Sequence, residues 1–254
     1  MTSPRGPSTR KTGSRARRTS VSAEPETDAV PELGPITVVT GTDTAVGKTW
    51  VTTALARALR AAGQRVLAIK PIETGCPAKP SSQEDGALLA AATGQTEPRQ
   101  ALIRLRAPLA PVLAAEQEGV TIDLESLVSR IRRYAVGYDM TLVEGAGGLL
   151  SPLSWTDNAL DLAHGLNAKV LVVGADRLGT INQALLTLRA LEAARTMVVG
   201  LVLTAPAEPD DSTRSNAAAI ARLSGFEMVW TVPRLDDPTA AAEAVKEVAG
   251  WLVP

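Results

Sequence analysis

The chain has 254 residues, with 26 Lys and Arg against 27 Asp and Glu and a formal net charge of -1, which excludes any whole-chain electrostatic pull toward nucleic acid or an anionic membrane. Hydrophobic residues make up 45% and aromatics only 3%, a balance that suits strands and helices packed in layers better than an aromatic-rich barrel or sandwich, in a length sufficient for one large α/β domain. The single cysteine, Cys76, excludes an intrachain disulfide framework and fits a reducing cytoplasm; no apolar run reaches the length of a membrane span, and no apolar signal-peptide core opens the chain.

Residues 1–34 are rich in Ser, Thr, Pro and Arg. Arg5, Arg10, Lys11, Arg15, Arg17 and Arg18 precede the acids Glu24, Glu26, Asp28 and Glu32. Such a stretch buries too little apolar surface to offset its ordering entropy, so a disordered, dispensable tail is expected there. A nucleic-acid-binding arm is the sharper alternative, without aromatic residues to support it, and for a eukaryotic source an organelle transit peptide fits by composition. From residue 35 to 254 the pattern alternates. Apolar runs at 36–40, 66–70, 140–144, 170–174, 198–203 and 228–232 are read as strands, and the stretches at 48–62, 84–93, 122–135, 159–166, 181–194, 213–224 and 239–251 as helices. Short apolar strands alternating with helices predict a mostly parallel central sheet covered by helices on both faces, a three-layer α/β/α domain. Its ligands belong at the carboxyl ends of the strands.

The motifs fall at those ends. Gly41-Thr42-Asp43-Thr44-Ala45-Val46-Gly47-Lys48-Thr49 follows the first strand and opens a helix, the setting in which backbone N–H groups and a helix N-terminus wrap phosphates. Lys48 would reach the outer phosphates and the Thr49 hydroxyl would bind Mg²⁺. It departs from a strict phosphate-loop pattern, because Gly41 lies one residue early and Thr42 occupies the usual first glycine position. A second strand ends in Glu144-Gly145-Ala146-Gly147-Gly148, where a carboxylate can hold Mg²⁺ and glycines admit close approach to the backbone. A third ends in Lys70-Pro71-Ile72-Glu73-Thr74-Gly75, with Asp85 following near a helix start. Lys70 can offer a second positive charge to a transferring phosphoryl group, and Asp85 a further Mg²⁺ ligand. Taken singly, Lys70, Asp85 and Glu144 also read as solvated surface residues.

Together these elements resemble dethiobiotin synthetase, a family of phosphate-loop enzymes. The resemblance adds Pro111 with Glu118-Gly119, Leu178-Gly179-Thr180-Ile181-Asn182 and Val232-Pro233-Arg234-Leu235 to the motifs above, and it covers the chain from about residue 36 onward. It implies a cytoplasmic, Mg²⁺-dependent ligase of biotin biosynthesis that uses ATP or another nucleoside triphosphate. In the implied reaction CO₂ adds to an amine of 7,8-diaminopelargonate, the carbamate takes the γ-phosphoryl group, and the second amine closes the cyclic urea. By the same resemblance Thr49, Asp85 and Glu144 ligate Mg²⁺. Asp43, Thr44, Val46, Gly47, Lys48 and Thr49 hold the nucleotide phosphates, and Thr204, Pro233 and Leu235 its base. Lys70, Lys48 and Thr44 act in catalysis; Thr74, Glu144, Gly147, Gly148, Thr180, Ile181 and Asn182 contact substrate. The Thr180, Ile181 and Asn182 helix start reaches the substrate carboxylate across the interface of a homodimer, and neither nucleic acid nor membrane is a partner.

Four positions depart from the family pattern: Ala45 stands where many relatives carry Glu, Val112 where some carry His, Gln183 where a His is usual, and Thr204 where an Asn reads the adenine edge. Two other readings stay open. The synthetase domain of a corrin amidoligase has a similar loop but normally carries a glutaminase domain with a nucleophilic Cys and a His. Here Cys76 and His164, the only residues of their types, fall inside the α/β region. A partition- or Min-type ATPase switch carries an extra lysine early in the loop, where this chain has Asp43.

Overall fold

A computed structural model of the chain describes residues 33–253, together with Met1, Thr2 and Gly6; the remainder of the tail expected at 1–34 lies outside the described residues. The strands are β1 (Ile36–Gly41), β2 (Val66–Ile69), β3 (Ile72–Glu73), β4 (Ile103–Arg104), β5 (Met140–Gly148), β6 (Lys169–Ala175), β7 (Val198–Thr204) and β8 (Val229–Val232). The helices are α1 (Lys48–Ala61), α2 (Asp85–Thr93), α3 (Pro111–Glu118), α4 (Leu124–Ala135), α5 (Ala159–Leu166), α6 (Thr180–Ala193), α7 (Asn216–Ser224), α8 (Pro238–Ala244) and α9 (Lys246–Leu252). Six strands form one parallel sheet in the order β2-β5-β1-β6-β7-β8, and β3 and β4 form a small parallel ribbon beside it.

Covering both faces explains why apolar residues occupy successive rather than alternate strand positions. Along β1, Val38 enters one core and Val39 the other; along β6, Val170 and Val172 alternate with Leu171 and Val173. The first core is completed by α3, α4, α5, α6 and α7, the second by α1, α2, α8 and α9. From β1 the chain passes to one side of the sheet, and from β5 it crosses over β1 to the other. This reversal leaves a crevice above the carboxyl ends of β1 and its neighbours, the place where open α/β sheets take ligands.

The departures from the expected elements have local causes. The strand expected at 140–144 continues to Gly148, but its register with β1 slips between the pairs Val39 with Glu144 and Gly41 with Gly148. Gly145, Ala146 and Gly147 are therefore looped out toward the crevice as a bulge. The helix expected at 239–251 breaks at Val245, whose φ of -105 and ψ of 7 leave the helical region. The helix α3 and the β3 and β4 ribbon lie outside the elements that the sequence predicts, and α7 begins at Asn216 after a turn rather than at 213.

One close approach fixes the far side of the second core. Trp251 of α9 lies on Gly200 of β7, where an added Cβ would come within 2.6 Å of the indole carbons, and it meets Trp230 edge-on at a centroid distance of 6.3 Å. Gly200→Ala should therefore force the indole to move and lower stability by about 1–3 kcal/mol. Urea unfolding checks this, and a variant as stable as the parent would show that the helix yields freely.

Candidate active site

The loop from Gly41 to Lys48 is held in shape by its own backbone and by neighbouring elements. Ala45 and Gly47 adopt positive φ values of 57° and 88°. Gly47 is doubly constrained, because a Cβ there would lie 3.0 Å from the Thr204 methyl group. Beneath it, the Thr204 hydroxyl donates to the Val46 carbonyl at 2.8 Å. The Lys48 ammonium arches back to the Asp43 carbonyl at 3.0 Å. The Asp43 carboxylate accepts from the Thr44 N–H at 2.7 Å and from the Gln183 side-chain amide at 3.3 Å. Burial, with the charge of Lys70 acting in the same direction, pushes the Lys48 ammonium down to about 8.

Beside the loop, four elements converge on one cluster of charge. Lys70, at the end of β2, places its ammonium 2.7 Å from Glu144 Oε1 and 2.7 Å from Asp85 Oδ2. The Thr49 hydroxyl lies 2.8 Å from Asp85 Oδ1 and 2.8 Å from Glu144 Oε1, with a single hydrogen to donate to either. Burial opposes charge on both Lys70 and Asp85. Their attraction prevails: the Lys70 ammonium is held above the ordinary lysine value by Glu144 and Asp85, and the Asp85 carboxyl below the ordinary carboxylate value by Lys70. Glu144 Oε2 is buried without a hydrogen-bond partner. Two carboxylates and a hydroxyl beside a phosphate loop, one buried oxygen among them uncommitted, form an all-oxygen donor set that suits Mg²⁺.

Two cavities meet at the loop. One of about 540 Å³ is bounded by Trp50, Ala175, Thr204, Pro206, Pro233 and Leu235; the other, of about 520 Å³, is floored by Lys48, Thr49, Lys70, Thr74, Asp85 and Glu144. Thr44, Ala45, Gly47 and Trp50 line both, so the loop is the wall they share. Each has the volume of an ordinary small-molecule site, about 300–1,000 Å³. Val46 faces the first cavity and Gly147 the second. Gly148 is paired to Gly41 within the sheet, and Asp43 is held at the rim of the loop. Thr180, Ile181 and Asn182 line neither cavity. Thr180 is buried, and its hydroxyl lies next to Gly174, within 3.3 Å of where a Cβ would stand on that residue.

Three contributors escaped the motif reading. The Trp50 indole N–H donates to the Leu235 carbonyl at 2.7 Å, tying α1 to the 233–236 segment. Gln183 braces Asp43, and Glu73 accepts from the first two N–H groups of α2. Each depends on a partner distant in sequence, so no local spacing announces it. Cys76 lies near the site but is buried, and burial pushes its thiol up to about 11, which leaves it protonated and unreactive at neutral pH. His164, on α5, is bonded to Thr196 in the turn between α6 and β7, and it lines neither cavity.

Fold and site define a phosphate-loop nucleotide-binding α/β protein, and residues 37–242 match a family model described as an AAA domain. Among solved structures, a ParA family ATPase from Chlorobium tepidum superposes with a TM-score of 0.52 at 16% identity, covering 87% of this chain and 94% of that one. The MinD cell division ATPase of Pyrococcus furiosus gives 0.53 at 19% identity, covering 86% and 98%. Likenesses at such identities show the fold alone. The sequence relatives are nearer. The ATP-dependent dethiobiotin synthetase BioD of Anaeromyxobacter dehalogenans strain 2CP-1 is 42% identical over 217 residues, 84% of this chain and 96% of that protein. That of Rhodococcus jostii is 40% identical over 220 residues, 85% and 94%, and that of Aquifex aeolicus 38% over 200 residues, 79% and 89%. The chain belongs to the dethiobiotin synthetase family.

Lys48 is the simplest probe of the loop. Lys48→Ala should retain the circular dichroism spectrum of the parent and lose turnover by about a hundredfold or more, the usual consequence of removing a charge that faces a transferring phosphoryl group. A folded variant with near-parental turnover would show that the loop does not hold phosphates.

Proposed function

We propose that the chain catalyses the nucleotide-dependent closure of 7,8-diaminopelargonate and CO₂ to dethiobiotin, a ligase reaction that forms C–N bonds in biotin biosynthesis. Besides family membership, one observation carries this reading: Lys70, Thr49, Asp85 and Glu144 floor a cavity whose wall is the phosphate loop, and the same loop walls a second cavity of nearly equal size. A nucleotide base fits on one side of the loop and a second substrate on the other, with the γ-phosphate between them.

The chemistry needs no protein nucleophile. CO₂ and one amine give a carbamate, its oxygen takes the γ-phosphoryl group, and attack by the second amine releases phosphate and closes the urea. The protein's share is to position the groups and balance charge. Lys48 and the N–H groups of residues 43–49 hold the phosphates. Lys70, kept fully charged by its carboxylate partners, faces the carbamate and the charge that builds as the phosphoryl group moves. Thr44 and Thr74 donate to the phosphate and diamine region, and the bulge at Gly147 lets substrate approach the backbone. A bound Mg²⁺ supplies charge neutralisation at the phosphates, with Thr49, Asp85 and Glu144 as its protein ligands. The helix start at Thr180, Ile181 and Asn182, which lines neither cavity of one chain, serves a partner's substrate carboxylate in a homodimer. No helix among the described residues is long and apolar enough to cross a membrane, and the proposed location is the cytoplasm.

Base selection is weak in this reading. Thr204 has no carboxamide, and its hydroxyl already donates to the Val46 carbonyl; the Leu235 carbonyl is engaged by Trp50. The surrounding wall includes Ala175, Ala205, Pro206, Ala207 and Pro233, which offer no side-chain hydrogen bonds to a base, and beside them Arg177, Arg234 and Asp236, none of which has a carboxamide. The test is to incubate the purified protein with 7,8-diaminopelargonate, bicarbonate, Mg²⁺ and ATP, GTP or CTP separately, reading dethiobiotin by mass. Product should form with each, and kcat/KM should differ between nucleotides by less than about a hundredfold, or roughly 2.7 kcal/mol. Absence of dethiobiotin with every nucleotide would overturn the proposed reaction; a larger preference for ATP would show that another group reads adenine.

A further inference from the structure

Glu73 stands one strand away from the charge cluster, and neither carboxylate oxygen of Glu73 bonds to a side chain of that cluster. It belongs to β3, is 9% exposed, and its Oε1 accepts from the Asp85 N–H at 2.7 Å while Oε2 accepts from the Gly86 N–H at 3.0 Å. These are the first two N–H groups of α2, which have no partner within the helix. The residue that would normally satisfy them does not: Glu84, at the N-cap, makes no side-chain cap. Its carboxylate turns instead to the Ser81 N–H at 2.7 Å and to Arg104 at 2.6 Å. The cap of α2 thus comes from another strand.

That strand is itself well placed to act as a fixed point. The Glu73 carbonyl accepts from the Leu105 N–H at 2.8 Å, in register with the pairing of β3 to β4. On the other flank of the helix start, Gly86 is pressed against the backbone of Ala101, where a Cβ would come within 2.3 Å of the amide nitrogen. The segment that carries Glu73 also carries Lys70. Asp85 is therefore gripped twice by one stretch of chain, through its backbone by Glu73 and through its carboxylate by Lys70 at 2.7 Å. Two bonds to adjacent N–H groups fix the direction of the first helical turn, and with it the direction in which the Asp85 carboxylate points.

We propose that Glu73 is a positioning residue for the metal and nucleotide site: by capping α2 from β3 it holds the Asp85 carboxylate in the place where it ligates the divalent cation. This rests on the reading of Asp85 as a metal ligand. Groups that orient ligands from behind commonly contribute about 10–100-fold to metal affinity. A role confined to overall stability would leave metal affinity in the folded protein unchanged.

The experiment uses the full chain saturated with ADP and titrated with Mn²⁺, free Mn²⁺ being read by electron paramagnetic resonance. Glu73→Ala should weaken Mn²⁺ binding by about 10–100-fold, and Glu73→Gln, which keeps one acceptor oxygen, should weaken it less. In an Asp85→Ala background the same Glu73 substitutions should have almost no further effect, because the group they position is gone. Unchanged Mn²⁺ affinity in either folded Glu73 variant would overturn the proposal, as would an equal additional loss in the Asp85→Ala background. Should Glu73→Ala not fold, the isosteric Glu73→Gln carries the same test. If the parent binds Mn²⁺ with ADP and Asp85→Ala does so equally well, the assignment of Asp85 is wrong and the proposal falls with it; if only the Glu73 variants are silent, the assignment of Asp85 stands and the positioning role alone is lost.

Discussion

The Lys70 ammonium is the constraint around which the site is built. Its side chain is only 5% exposed and Glu144 is fully buried, so neither charge is stabilised by water. An isolated buried charge is expensive, and removing one member of a buried pair commonly costs about 3–5 kcal/mol because the other is stranded. The chain meets this by bringing a second carboxylate, Asp85, to the same ammonium and by letting the Thr49 hydroxyl touch both acids. Those four groups come from the ends of β2 and β5 and the starts of α1 and α2. The pairing therefore ties the phosphate loop, the glycine bulge and the β3 segment to one point.

With Lys48 included, the cluster sets two ammonium groups against two carboxylates at close range. A triphosphate brings several further negative charges into this balanced arrangement, and a divalent cation compensates for part of them. In the proposed function, the carboxylates that hold Lys70 would then also serve as the ligands of Mg²⁺. The separation of the two cavities has a similarly simple origin. The loop runs between β7, where Thr204 supports it from below, and the carboxyl end of β5, where the bulge opens space. One face of the loop thus looks onto a wall of Ala and Pro residues with Trp50, Arg177, Arg234 and Asp236 among them, and the other onto the charged floor.

Much of this was legible in the sequence because the signals are local. Continuous apolar runs such as 36–40 mark strands buried on both faces, and Gly47-Lys48-Thr49 after such a run marks a phosphate loop. Glu144 and Lys70 are legible as strand-end residues and Asp85 as a residue near a helix start, although only the fold brings them within contact distance. What escaped notice was either too short to show a period, as with the two-residue strands β3 and β4, or created by distant contacts. Nothing near Glu73 signals that it caps a helix 12 residues away, and nothing near Trp50 predicts a bond to Leu235. Val245 breaks the last helix although its sequence neighbours favour helix, and both pieces pack with α1 on the second core. At Thr204 the position is evident in the sequence but this contact is not: its short hydroxyl supports the loop from beneath through the Val46 carbonyl.

The claim that this buried ion cluster organises the site is tested most directly by a double-mutant cycle on folding. Urea unfolding at neutral pH would be measured for the parent, Lys70→Met, Glu144→Gln and the double variant. The cluster account predicts that each single change lowers stability by about 3–5 kcal/mol and that the double variant is less damaged than the sum by about 1–3 kcal/mol, since each substitution relieves the charge the other strands. Losses that add to within about 0.5 kcal/mol would mean that Lys70 and Glu144 act independently and would contradict it.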